Sequence, residues 1–387
     1  MSGSNTGVRL GRRGFLTLTA GAGSLLVAPQ MVLATVPTER RFVFIIQRGA
    51  ADGLNIVVPY ADPAYARLRG ALAIDAASAR KLDGQFALHP SLAQVGAMYG
   101  QGQALFVHAV ASPYRDRSHF DGQNVLETGG IQPYAVRDGW LNRLVGLMPR
   151  AGKQAIALAA TVPPALRGPV PVESYLPSGL PDPSADLIER VGKLYGGDAQ
   201  LHPLWAAALD ARAAAEKTAT KQDPAGLGRL AATFLAKPGG GRVAMLETGG
   251  WDTHSGQEGR LAGQLKGLDA LLAALRDGLG DAWASTTVLV ATEFGRTAAA
   301  NGTGGTDHGT GSLAMLLGGA VRGGRVIADW PGLAPAQLFE GRDLRPTLEL
   351  DALIAGAAAE SLMLDPELVA RNLFASGAVR PSTGLVG

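Results

Sequence analysis

Three apolar runs in the carboxyl-terminal half each abut a group of side chains able to bind a cation or move a proton. RVAMLE (242–247) leads into GGWDTH, which carries Asp252 and His254. TTVLVAT (286–292) leads into Glu293 and Arg296, and GTDHGTGS (305–312) places Asp307 and His308 just ahead of LAMLLGG. Carboxylates and imidazoles gathered in one place form a divalent-metal or acid/base site. The amino-terminal half has two further polar groups. Arg48 and Asp52 follow FVFII, and SPYRDRSHFD (112–121) contains Arg115 and Ser118. Asp52 precedes Gly53 and has two readings, an ordinary Asp-Gly turn or a metal ligand. Ser118 also has two. With Asp121 three residues on, it resembles a helix capping box. Alternatively, a serine in the dipole field of a helix start suits a nucleophile that attacks a phosphoryl or sulfuryl group. His89, His202 and Trp205 read as capping or packing residues.

These side chains need a scaffold, and the apolar runs supply one. Short Val-, Leu- and Ala-rich runs bounded by glycine read as buried strands. They fall at 41–46, 104–110, 154–159, 242–247, 286–292, 313–319 and 324–328. Helical patterns lie between them at 63–69, 91–99, from Ser118, and from Asp138. The longest spans 256–278, with Leu261, Leu265, Leu268, Leu271, Leu272 and Leu275 on one face. Two more helices end the chain at 346–359 and 366–374. Strands alternating with helices predict an α/β fold of three α/β/α layers around a mostly parallel sheet. Ligands of such sheets bind beyond the carboxyl ends of the strands, where these polar groups stand. The loop after the first strand lacks G-x-G-x-x-G spacing, so dinucleotide binding is not favoured. Segment 163–238 is Pro-rich and then helical, and predicts a helical insertion or cap beside the sheet.

The chain has 387 residues, 47% hydrophobic and 18% charged, enough for one large globular domain with a real core. Zero cysteines exclude disulfides, thiolate metal sites and a cysteine nucleophile. Arg12 and Arg13 precede an apolar stretch reaching Ala28, and Val32-Leu33-Ala34 follows. That pattern reads as a twin-arginine export signal cleaved near Ala34. Residues 1–34 are thus assigned to the signal and 35–387 to a single domain. The expected location is periplasmic or secreted, with the twin-arginine translocon as a transient partner. The apolar part is shorter than the ~20 residues that span a bilayer, and no stable membrane span is expected elsewhere. Loss of the signal removes three arginines and no acid, leaving 32 basic against 33 acidic residues, a net of −1. Nothing in that balance points to nucleic acid.

The motifs FIIQRGAADGLN, SPYRDRSHFDGQ, GGWDTH, VATEFGRT and GTDHGTGS follow the twin-arginine signal in that order. Together they resemble a bacterial family of exported proteins known as domain of unknown function 1501. That family resembles the core of the alkaline phosphatase and sulfatase superfamily, and the likeness covers essentially the whole mature chain. The resemblance implies an alkaline-phosphatase-like fold. It implies a metal-binding Asp after the first strand; Asp52 is nearest but several residues late, and Arg48 stands in the expected place. It makes Ser118 the nucleophile, Asp252 and His254 ligands of one metal, and His308, with Asp307 beside it, a late histidine ligand. Glu293-Phe294 replaces the Asp-His pair expected after the following strand. The implied activity is an exported metal-dependent hydrolase of phosphate esters, whose substrate is a small anionic ester. One Zn²⁺ on Asp252, His254 and His308 would keep an open position. Arg48, Arg115 or Arg296 would replace a second metal by pairing with anionic oxygens. Sulfate esters are less favoured, because Ser112-Pro113-Tyr114-Arg115 departs from the C/S-x-P-x-R context. The rival reading is a non-catalytic protein reusing the fold to bind an envelope glycan or another envelope protein; a redox enzyme has only the export route behind it.

Overall fold

The computed structural model describes residues 39–149, 154–176, 185–198, 201–216, 223–237 and 239–387. The export signal read at 1–34 lies outside them. The first strand, β1 (Arg41–Gln47), is buried along its whole length. Its pleat sends Val43 and Ile45 into one apolar layer and Phe42, Phe44 and Ile46 into the other. A strand apolar on both faces belongs in the middle of a sheet covered on both sides. The other strands of that sheet are β2 (Ala104–Ala111), β3 (Ala155–Leu158), β4 (Glu173–Ser174), β5 (Val243–Thr248), β6 (Thr286–Ala291), β7 (Ser312–Leu317), β8 (Arg325–Ile327) and β9 (Leu348–Glu349). They run in the order β8-β2-β7-β6-β1-β5-β3-β4, with β9 also pairing β2, which makes nine strands.

All pairings are parallel except those of β7, which is antiparallel to both β6 and β2. The cause is the connection. A parallel return needs a crossover, usually a helix, and residues 292–311 contain none. The reversal decides where the site forms. Ser312, the first residue of β7, pairs with Val110 near the end of β2. The loops that follow β1, β2, β5 and β6 and the loop that precedes β7 therefore open at the same edge of the sheet.

Helices of eight or more residues are α1 (Ala93–Gly100), α2 (His119–Thr128), α3 (Trp140–Leu147), α4 (Ala185–Tyr195), α5 (Leu201–Glu216), α6 (Pro224–Ala236), α7 (Gln257–Leu279), α8 (Leu350–Leu362) and α9 (Pro366–Leu373). Helices α1, α6 and α7 share an apolar layer with Val43 and Ile45, and α3, α8 and α9 share the opposite one. The three-layer architecture expected from the alternation is present. The leucine stripe of α7 is buried from Leu261 to Leu275, each side chain contributing about 1.5–3 kcal/mol by leaving water. Segment 163–238, expected as a helical insertion or cap, contains β4 and α4, α5 and α6 among its described residues. Strand β4 extends the main sheet, and α6 packs into the helical layer through Leu230, Ala231 and Leu235. A Cβ on Gly228 would lie 2.2 Å from the Leu271 carbonyl oxygen, so the two helix backbones meet where only glycine fits. Among the described residues, α4 and α5 contribute no side chain to either buried layer.

Candidate metal centre

Three imidazoles and one carboxylate converge at that edge. His119 opens α2, directly after the loop from β2; Asp252 and His254 lie in the loop after β5; His308 lies just before β7. His119, Asp252 and His308 each offer a donor atom within 4.8 Å of the others. His254 joins through Nε2, 3.0 Å from Asp252 Oδ1 and 3.0 Å from His308 Nε2. His308 Nε2 is 3.3 Å from Asp252 Oδ1, and His119 Nε2 is 3.4 Å from Asp252 Oδ2.

Each ring is held from behind. Nδ1 of His119 donates to Glu293 Oε1 (2.8 Å), Nδ1 of His254 to Asp307 Oδ1 (3.1 Å), and Nδ1 of His308 to the Arg117 carbonyl (2.9 Å). A neutral imidazole has one N–H, so each of these bonds leaves the Nε2 lone pair facing the others. His119 Nε2 is buried and has no hydrogen-bond partner. Lone pairs of His254 and His308 at 3.0 Å, beside a carboxylate, have no proton between them to share. A cation resolves that repulsion. Zn–N bonds of about 2.0–2.1 Å imply tetrahedral donor–donor edges of about 3.3 Å; His254 and His308 stand 3.0 and 3.3 Å from Asp252 Oδ1, and His119 stands 3.4 Å from Oδ2. The residues present fit a divalent metal.

The carboxylates behind the rings remain ionised for visible reasons. Burial alone would raise Glu293, but His119, Gln123 and the Gly49 N–H bond its carboxylate and hold it below its ordinary value. Gly49 reaches it at φ +117°, a backbone region open to glycine. Burial would also raise Asp252, but the Arg296 guanidinium, 2.6 Å away, outweighs it, with His254 and His119 adding to the effect. Asn301 bonds Asp307 and holds it low, with His254 adding. Glu293 in turn holds His119 above the usual histidine range against burial, while burial, aided by His119 and Arg296, holds His308 below it.

The remaining expected residues fall in various places. Asp52, read as a turn residue or a metal ligand, is 1% exposed and stands outside the cluster. Its carboxylate is taken up by Arg69 and by Gln257 Nε2 at 2.5 Å. Gln257 Oε1 accepts from Thr253 and Thr306, and Thr306 accepts from Arg296. A buried polar chain thus runs from Arg69 to the guanidinium that grips Asp252. Glu293 and Asp307 touch imidazoles from behind. None of the three arginines expected to meet an anion is free for it. Arg48 is clamped by Glu127 (2.8 Å) and Glu247 (2.7 Å), Arg115 folds onto the Ser112 and Tyr114 carbonyls, and Arg296 serves Asp252. Ser118 precedes α2 but makes no side-chain cap bond. Its backbone N–H donates to the Tyr114 hydroxyl at 3.2 Å, and it stands between Arg117, which holds His308, and His119. The sequence reading missed His119. The available signal was a third histidine directly beyond a core strand, in a motif whose serine drew the attention.

The sequence profile described as Protein of unknown function (DUF1501) matches residues 39–371, most of the chain. The chain belongs to the DUF1501 family. No match to a curated protein is found. Among solved structures, this DUF1501 chain is similar to the C-terminal periplasmic domain of EcEptC from Escherichia coli in complex with Zn, at 9% identity over 73% of each chain with TM-score 0.37. It is also similar to a 2-O GAG sulfatase, BT1596, at 10% identity over 88% of this chain and 73% of that one, TM-score 0.39. A third is the phosphonate monoester hydrolase of Agrobacterium radiobacter, at 10% identity over 74% and 70%, TM-score 0.31. The functional reading of the DUF1501 chain rests on its own site.

Proposed function

We propose that this DUF1501 protein is an exported metal-dependent hydrolase of phosphate esters, with sulfate esters the less favoured class. The observation that carries the reading is the convergence of three Nε2 lone pairs on the Asp252 carboxylate, each ring fixed through Nδ1. His119, His254, His308 and Asp252 would hold the ion, and a nitrogen-rich donor set favours zinc over magnesium or calcium. A divalent cation bound there supplies positive charge against the oxygens of the ester. Glu293, Asp307 and the Arg117 carbonyl keep the protons on Nδ1, and Arg296 keeps Asp252 ionised. Ser118 supplies the nucleophile. Its hydroxyl is not spent on capping, its backbone is tied to the Tyr114 hydroxyl, and the first N–H groups of α2 favour an anion beside it. Its Oγ would bond to phosphorus as the bond to the ester oxygen breaks, the hydroxyl proton passing to the departing alkoxide, and water would then cleave the Oγ–P bond to release phosphate and restore the serine. Export by the twin-arginine route belongs to this reading, supported by Arg12 and Arg13 ahead of an apolar stretch. Among the described residues, no helix is long and apolar enough to cross a membrane.

A non-catalytic envelope binding protein is the second reading, and the engagement of Arg48, Arg115 and Arg296 favours it. Metal analysis of protein purified without added metal, with p-nitrophenyl phosphate and sulfate as substrates, separates the two. The hydrolase reading expects about one divalent ion per chain, loss of the ion in His308→Ala, and loss of phosphatase activity but not of metal in Ser118→Ala. Retained metal with no turnover of any ester selects the second reading, and a metal-free chain overturns the site itself.

A further inference from the structure

Beside the metal centre lies an open cavity of about 690 Å³ that the chemistry above does not use. Its size is that of a small-molecule site. Phe120, Gln123, Asn124 and Glu127 line it from α2 at the i, i+3, i+4, i+7 spacing of one helix face. His119 precedes that face by one residue. Gln123 forms a shared wall, donating to Glu293 Oε1 at 3.0 Å on the metal side and accepting from Arg48 at 3.0 Å on the cavity side.

We propose that this cavity binds an anionic saccharide. Phe120 is 81% exposed and Tyr134 64% exposed, two flat apolar faces that the fold leaves open to solvent. Tyr134 is held there at a cost. Its φ is +61°, in the left-handed region, and it is fixed to α2 by its N–H to Asn124 Oδ1 (2.6 Å). The rest of the lining is mixed, apolar at Val136, Pro163 and Pro164 and polar at Gln123, Asn124 and the Glu127–Arg48–Glu247 triad. Flat C–H faces with hydroxyls around the edge match aromatic walls and an interior of amides and paired charges. Arg137 and Arg167 are exposed at the same cavity and give it a fork for a carboxylate or an ester anion. An acyl chain would strand those polar groups. As the site for the group that bears the scissile ester, the cavity rests on the hydrolase reading; as a saccharide site it stands alone.

Calorimetric titration of the mature chain with a uronic-acid disaccharide, its carboxyl-reduced neutral counterpart and adenosine monophosphate tests this. The acidic disaccharide binds, and the neutral one binds at least about tenfold more weakly. Phe120→Ala and Tyr134→Ala each weaken the acidic ligand by about tenfold, and Arg137→Gln reduces its preference over the neutral one. Absence of binding up to about 10 mM, indifference to both aromatic substitutions, or preference for the nucleotide overturns the proposal. Metal content and turnover of p-nitrophenyl phosphate are measured on the same wild-type sample. Saccharide binding by a metal-free, inert chain leaves this inference standing and removes the hydrolase reading. A metal-loaded, active chain that ignores the disaccharide does the reverse.

Discussion

Asp52 and Asp252 share a side chain and have opposite surroundings. Asp52 is sealed against Arg69 and Gln257, whereas Asp252 turns one oxygen toward Arg296 and both toward histidines. Asp52→Asn leaves a fully buried guanidinium without its counter-charge, which costs on the order of 3–5 kcal/mol. The expected outcome is a lower urea midpoint with unchanged metal content; a ligand role would lower the metal content instead. Asp307 tests the opposite case. Asp307→Asn loosens the His254 ring and lowers metal affinity by about 10–100-fold in chelator competition, with little change in stability. Asp252, His254 and His308 were legible from sequence because carboxylate and imidazole stand together beyond strand signals. His119 was not, because a histidine opening a helix looks like any polar first-turn residue until Glu293 is seen behind it. Arg296 was read as a partner for substrate because nothing local shows that its charge is used by Asp252.

At the scale of elements, helix starts divide into those fixed by their own cap and those fixed from outside. Asp223 caps α6 by accepting from the Gly226 N–H at 2.6 Å. Ser118 has the matching sequence pattern at α2 and makes no such bond; His119 and Gln123 tie that helix to Glu293 instead. Asp223→Ala is therefore expected to lower stability by about 1 kcal/mol, and Ser118→Ala to stay within about 0.5 kcal/mol of wild type in the same denaturation series. A large loss in Ser118→Ala would show a structural role for the hydroxyl. Strand existence was legible from the Val- and Leu-rich runs, but the direction of β7 was not, since LAMLLGG reads alike either way. Its reversal follows from the missing crossover helix. Within segment 163–238, propensity marks α4, α5 and α6 as helices without showing that Gly228 admits α6 to the core.

Across the molecule, two buried histidines away from the candidate metal centre, His108 and His89, contribute to the acid response. His108 in β2 is fully buried, its Nε2–H donating to the Val57 carbonyl at 2.9 Å and its Nδ1 accepting from the Ala109 N–H. Burial pushes it down to about 4 from 6.5, and the same cause lowers His89 to about 4. A group with a depressed folded-state pKa gives its full stability above the unfolded value. That stability is lost as the pH falls from about 6.5 toward 4, up to about 3 kcal/mol for His108. Buried Asp351, pushed up to about 7, changes stability in the opposite sense over the same window, so urea midpoints are measured from pH 7.5 to 4.5 in Asp351→Asn, where they should fall; a flat profile in that variant would contradict neutral burial of both rings.

The donors of the metal cluster come from loops separated by more than a hundred residues along the chain, between His119 and Asp252, and are brought together only by the finished sheet. On the proposed reading no short peptide of this sequence preselects an ion, and the choice of metal would be made where the chain completes its fold. If export takes the folded protein, as proposed, that choice precedes translocation and is governed by the ion pools of the cytoplasm. Copper, which outcompetes other divalent ions for nitrogen ligands, would then meet a site already filled.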